Sequence, residues 1–181
     1  MRALVAYGSK RGGTAGLAQM IGDALSAHGV DTDVRPAREV STLDPYAAVV
    51  VAGALYMNRW HRDARRFVRR HADALRVRTV WLVSSGPLDD SAAAGQLPSV
   101  PTVARLAALV GARGMQTFGG RLAADATGFP AKAMAKTRAG DWRDAGNVER
   151  FAADVAAELG RGSEPDRLAR APADVPSPSD D

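Results

Sequence analysis

The sequence predicts an α/β domain, a doubly wound parallel sheet with helices on both faces. Three observations predict it. Short apolar runs of strand length alternate with stretches whose apolar residues recur at helical spacing. Two of those runs, 46–55 (YAAVVVAGAL) and 79–85 (TVWLVSS), are apolar through most of their length, as strands covered on both faces read. The first run ends in glycine and turns directly into a helical pattern.

Each element follows from its own pattern. Residues 2–8 (RALVAYG) read as a buried strand. In 14–28, Leu17, Ile21, Ala24, Leu25 and His28 share one helical face, closed by Gly29. Residues 30–35 (VDTDVR) alternate as a strand with one exposed face does, and 36–45 are too short and polar to predict a second helix. A helix is predicted over 60–75, with Trp60, Ala64, Phe67, Val68, His71 and Leu75 inward and Arg62, Arg66, Arg69 and Arg70 outside. Ser99 is the predicted N-cap of a helix carrying Val103, Leu106, Ala107 and Val110. A short strand over 115–118 follows. Asn147 is predicted to cap a last helix through Val148, Phe151, Ala152, Val155 and Leu159. The Pro/Ser/Asp-rich stretch 161–181 reads as a disordered C-terminal tail, leaving one domain over 1–160.

Composition narrows the chemistry. Among 181 residues there is no Cys, which excludes disulfides, thiolate metal sites, Fe–S clusters and a Cys nucleophile. Redox chemistry would need a cofactor. The formal charge is +4. The tail holds three Arg and five acidic residues, so the domain itself carries +6. Of 24 basic residues only three are Lys, a bias that weakens any reading of the basic charge as a nucleic-acid footprint. The longest apolar run, 47–57, falls short of the roughly 20 residues a membrane span needs. Residues 3–7 are too few for a signal peptide's apolar segment, so the expected compartment is the cytoplasm, with the inner membrane face as a peripheral site.

In open parallel sheets, ligands bind at the carboxyl ends of the strands. The first loop there is Gly8-Ser9-Lys10-Arg11-Gly12-Gly13-Thr14. The free N–H groups and dipole of the following helix favour a phosphate, and Ser9 and Thr14 add hydroxyl donors. Gly8 and Gly13 have Walker A spacing, but Thr14 stands where Lys is needed; Gly8 is not followed by the GxGxxG of a dinucleotide fold. A phospho-receiver is excluded because the first and third strands end in Tyr7-Gly8 and Ala52-Gly53, without acids. A plain glycine-rich turn is the alternative.

On these residues the chain resembles the flavodoxin-like family. YGSKRGGTAGLA is similar to that family's FMN-phosphate loop, with Gly13 where Asn is usual and with Lys10 and Arg11 where uncharged groups are usual. The resemblance implies a five-stranded sheet in the order 2-1-3-4-5 and a non-covalent FMN. Its phosphate would lie on Ser9, Lys10, Arg11, Gly12, Gly13 and Thr14. The ring would lie between Ala54-Leu55-Tyr56-Met57 and Ser84-Ser85-Gly86-Pro87. Tyr56 is expected to stack on the ring, with Trp60 as the alternative if it is not a core residue. Ser84, Ser85 and Gly86 are expected to bring backbone N–H groups to the ring's polar edge. Because 55–59 lack Gly, a left-handed conformation at Tyr56 or Met57 would be strained by about 1–2 kcal/mol, while Asn58 would tolerate it better. Two-electron chemistry is therefore expected.

A finer resemblance rests on three stretches: 51–56 followed by Trp60-His61 and Phe67-Val68; Phe118-Gly119-Gly120-Arg121-Leu122; and Gly140-Asp141-Trp142-Arg143-Asp144. They resemble the menaquinone-dependent protoporphyrinogen oxidase branch, which implies a porphyrinogen donor and a quinone acceptor. Residues 123–139 are shorter and less hydrophobic than that branch's helical insertion; the connection 119–144 is expected to form the mouth of a substrate site. A one-electron carrier and a non-catalytic binding module are the alternatives. No His/acid cluster has metal-ligand spacing. His28 and His71 read as packed or helix-end residues, and His61 as a residue beside the flavin loop. The Arg face through Arg62, Arg66 and Arg69 has three readings: solvated helix surface, contact with an anionic lipid or acidic substrate, and nucleic acid, the last disfavoured because no exposed aromatics interleave. Oligomeric state is left open.

Overall fold

A computed structural model describes residues 1–89, 91–95, 97–126 and 131–169. Strands β1 (Arg2–Gly8), β2 (Asp31–Pro36), β3 (Ala48–Tyr56), β5 (Thr79–Ser85) and β6 (Gly114–Phe118) form one parallel sheet in the order β2-β1-β3-β5-β6. Counting the parallel strands alone, that is the expected 2-1-3-4-5. The additional strand β4 (Arg59–Trp60) turns back antiparallel on the end of β3. A separate antiparallel pair joins β7 (Arg121–Leu122) to β8 (Gly140–Asp141).

The helices are α1 (Gly13–Ala27), α2 (Arg62–Arg70), α3 (Ala72–Arg76), α4 (Ser91–Ala94), α5 (Pro101–Val110), α6 (Ala131–Arg138) and α7 (Ala145–Ala169). The strand period of two sorts the sheet's side chains into two cores. Leu4, Ala6, Val49, Val51, Val80 and Leu82 face α2, α3 and α5, where Phe67, Val68, Leu75, Val103 and Leu106 meet them. Ala3, Val5, Val50, Ala52, Trp81 and Val83 face α1 and α7, against Leu17, Ile21, Val148 and Val155.

Several boundaries differ from expectation, each for a local reason. The helix expected over 60–75 begins at Arg62, because Trp60 is taken into β4, and it breaks at His71 into α2 and α3. The N-cap of α5 is Val100 rather than Ser99: Pro101 sits in the first turn, where a missing N–H costs nothing. Asp144, not Asn147, caps α7, its Oδ1 accepting from the Asn147 N–H at 2.6 Å. Residues 36–45 hold one 3-10 turn, Ala37–Glu39. Helix α7 continues to Ala169, nine residues beyond the expected domain end. The rest of the expected tail, 170–181, lies outside the described residues.

A polar cluster ties β1 and β2 to the start of β3. The Tyr46 hydroxyl donates to Asp33 Oδ2 at 2.6 Å, and the Arg2 guanidinium donates to Asp33 Oδ1 at 3.0 Å. The tyrosine bond, with Arg2 behind it, holds the Asp33 carboxyl below the usual carboxylate range. Tyr46→Phe is expected to cost about 1 kcal/mol at neutral pH in urea titration. A depressed folded pKa stabilises above the unfolded value, near 4, and that contribution fades as pH falls through the folded one. The gap between variant and wild type should therefore close in acid.

Candidate functional site

The carboxyl edge of the sheet is closed on one side by aromatic rings rather than by a helix alone. Gly8, Gly53, Ser84 and Thr117 stand in one row across β1, β3, β5 and β6. On that row lies Trp60, 1% exposed, its indole N–H donating to the Val83 carbonyl at 3.2 Å. A Cβ at Gly53 would fall 2.4 Å from the indole nitrogen. Trp60 is therefore core and cannot be the ring-stacking residue.

Next to it, the His61 ring packs where a Gly8 Cβ would be. His61 is the N-cap of α2, Nδ1 accepting from the Asp63 N–H at 3.2 Å. Burial pushes the imidazole below its ordinary pKa; Asp63 opposes this, and Arg62, Arg65 and Lys10 each add a smaller lowering effect. With Nδ1 accepting, the neutral ring carries its proton on Nε2. His61→Ala should lower stability by about 1 kcal/mol, and His61→Asn should restore it, because asparagine also caps. Thermal melts of the two variants check this. Of the other histidines, His28 pairs with Glu149 at 2.8 Å between α1 and α7, and His71 marks the α2–α3 break.

The β1–α1 loop brings Ser9, Lys10, Arg11, Gly12, Gly13 and Thr14 together at the N-terminus of α1. Gly12, left-handed at φ 79°, is the N-cap. It receives no side-chain cap, and the first turn contains no acidic residue. Ser9 Oγ accepts from the Gly12 N–H at 3.1 Å, which fixes the loop, and the first helical bond runs from Gly16 N–H to Gly12 carbonyl. Thr14 is 2% exposed, while Lys10 and Arg11 are exposed. A 15-residue helix thus presents its positive end with nothing anionic from its own first turn to meet it.

The two ring-side stretches divide. Ala54 and Leu55 are half-buried, Tyr56 is 41% exposed and Met57 81% exposed. Tyr56 pairs with Arg59 and Leu55 with Trp60, leaving Met57-Asn58 as a two-residue turn. Both turn residues are left-handed, Met57 at φ 46° and Asn58 at φ 59°. Asn58 tolerates that region, and Met57 carries the strain expected of a left-handed residue there. A type I′ two-residue turn needs positive φ at both central residues, and the pairing of β4 imposes it.

Ser84 and Ser85 are buried within β5 between β3 and β6, and the Gly86 N–H donates to the Phe118 carbonyl at 3.0 Å. The Gly86 N–H expected at a ring edge is thus already committed. Pro87 accepts instead, from the Gly120 N–H at 2.8 Å.

Sequence reasoning placed a mouth over 119–144 but not its parts. The Trp142 N–H donates to the Gly120 carbonyl, closing the β7–β8 pair. Asp141 pairs with Arg143 and lies 3.9 Å from Arg121. A Cβ on Gly13 would come 3.0 Å from the Arg121 carbonyl, and one on Gly16 would strike the Arg143 guanidinium. The pair therefore clasps the start of α1. An open cleft of about 400 Å³ runs between the loop and the clasp, lined by Arg11, Arg121, Leu122, Ala123, Asp125 and Ala126. The Gly119-Gly120 doublet was the available signal. Among the described residues no group of three or more His, Cys, Asp or Glu could hold a metal ion.

Strand order, an uncapped helix start behind a glycine-rich loop, and a cleft at the carboxyl edge define a doubly wound α/β protein with a ligand edge of nucleotide-binding type. The chain belongs to the flavodoxin domain family, whose model matches residues 4–139. Among solved structures it is similar to a point mutant of flavodoxin from Pseudomonas aeruginosa, at 19% identity and TM-score 0.56, over 88% of this chain and 99% of that one. It is similar to oxidised Flavodoxin 2 from Bacillus cereus at 17% identity and TM-score 0.59, with the same coverage. A mutant flavo di-iron protein from Thermotoga maritima matches at 14% identity and TM-score 0.58, over 87% of this chain and 35% of that one. No curated protein matches the chain.

Proposed function

We propose that the protein is an FMN-dependent oxidoreductase, similar to the branch that oxidises protoporphyrinogen IX and passes electrons to a quinone. The observation that carries the FMN reading is the start of α1: an uncapped helix N-terminus with no acid in its first turn, behind Ser9, Lys10 and Arg11 and beside an open cleft. The donor set fits a dianionic phosphate, since backbone N–H groups, the Thr14 hydroxyl and two cationic side chains all favour negative charge. When bound, FMN supplies acceptance of electrons from a reduced substrate. The chain's part is to hold the phosphate on residues 9–14, to offer Tyr56 to the ring face, and to shelter the reacting edge under the 119–144 connection. The porphyrinogen and quinone reading is supported by the resemblance of 118–122 and 140–144, which pair with each other at the cleft. A carrier of single electrons is the second reading, favoured by the match to 99% of the length of small flavodoxins.

Titration of the purified protein with FMN, followed by flavin fluorescence, tests the first step. Micromolar or tighter binding is expected, and Thr14→Ala should weaken it by about 1–3 kcal/mol through loss of a charge-assisted hydrogen bond. No affinity at micromolar protein would overturn the FMN reading. Stepwise chemical reduction of the loaded protein then separates the two functions: a single two-electron step is expected of the oxidoreductase, and two well-separated one-electron steps of the carrier.

A further inference from the structure

Helix α2 carries charge that its own fold does not use. Arg62 stands in its first turn, the positive end of the helix dipole, where a cation is unfavourable. It is 74% exposed, and its nearest carboxylate, Asp63, is 3.8 Å away. Arg62 and Arg66, Arg65 and Arg69, and Arg66 and Arg70 are like-charged pairs four residues apart, an arrangement that destabilises a helix. Asp63 is the only acidic residue between positions 45 and 72. Helix dipole complementarity accounts for Arg69 and Arg70 at the last turn, but not for Arg62 or Arg66.

The ridge leads to the site. The N-terminus of α2 packs on Gly8, and Arg62 and Lys10 both lie close enough to His61 to act on its charge. Exposed Arg59 pairs with Tyr56 at the foot of the β3–β4 turn, and Met57, 81% exposed, stands at its tip. An exposed Met followed by a run of exposed Arg has the composition of a protein–protein contact. A membrane surface is the poorer fit: α2 has already committed Ala64, Phe67 and Val68 to the core, so it has no apolar face to lay into lipid.

We infer that Met57 at the hairpin tip and the ridge Arg59, Arg62, Arg66 and Arg69 form the docking face for an acidic partner protein at the mouth of the cofactor edge. This goes beyond the proposed reaction and stands independently of the identity of the small substrate. The positive ridge steers an acidic surface toward the edge, and the hairpin tip supplies the desolvated contact.

The test uses the full chain, with and without added FMN, and a strongly acidic plant-type ferredoxin as probe. Backbone amide shifts on titration are expected at 56–59 and along the exposed side of α2, with affinity falling about tenfold or more as salt rises from low to physiological strength. Arg62→Gln/Arg66→Gln/Arg69→Gln should lose at least about tenfold in affinity while melting no lower than wild type, since it removes all three like-charged pairs. Unchanged affinity in the triple variant, shifts mapping to another face, or a triple variant that melts lower would overturn the proposal. So would wild-type binding to vesicles containing anionic lipid at physiological salt that depends on the same three arginines, which would make the ridge a membrane contact. Because the readout is on amides and is repeated without flavin, failure here is separate from failure of the FMN reading.

Discussion

Trp60→Ala is expected to destabilise the protein by about 3–5 kcal/mol and to cost the folded remainder its order at the carboxyl edge. The indole fills the space that Gly53 leaves, belongs to the core facing α2, α3 and α5, and holds its own hydrogen bond to β5. Removing it opens a cavity beneath the β3–β4 turn and leaves Gly53 without cover. Trp60→Phe keeps most of the volume and loses the bond to Val83, so its cost should be nearer 1–2 kcal/mol. Urea denaturation of both variants, together with the amide shifts of 54–60, checks the pair. A Trp60→Ala loss below about 1 kcal/mol would mean that the edge collapses to fill the space.

Gly119→Ala is expected to have the second large effect, and a local one. A Cβ there would lie 1.9 Å from the Trp142 carbonyl oxygen and 2.6 Å from its carbon. Both are backbone atoms held by the Trp142–Gly120 bond, so the obstruction is relieved only by parting β7 from β8. The clasp over α1 would loosen while the five parallel strands stay paired. Stability should fall by about 1–3 kcal/mol, and FMN affinity should drop by more than tenfold if the clasp shapes the cleft wall. Retention of full affinity would show that the cleft wall is dispensable to the flavin.

How far the sequence could be read depended on whether a residue's role was local. The five parallel strands were legible because period and burial agree along each one, as in 46–55 and 79–85. The glycine-rich loop was legible because a helix start is a local device. Trp60 was legible as a core residue but its place was not, because Gly53, which it covers, meets it only after a hairpin turn that no Gly announces. Ser84 and Ser85 read both as the end of the strand 79–85 and as part of the ring-edge stretch, because their hydroxyls resemble turn residues; the register with Gly53 and Thr117 places them in the strand. The clasp was half legible: 119–144 was placed at the mouth, but the pairing of Arg121 with Asp141 across nearly twenty residues leaves no periodic trace.

The left-handed methionine also bears on how this chain can change over time. A Gly or Asn at position 57 would sit more comfortably in the turn, by roughly 1 kcal/mol, so the most stable version of this hairpin is one substitution away. Met57 nonetheless stands there with 81% of its surface exposed, contributing almost nothing to the core. A position where stability is given up for an outward-facing side chain is where thermostabilising engineering and activity should conflict. Met57→Gly is the substitution in which a gain in melting temperature and a loss of whatever the tip contacts ought to arrive together.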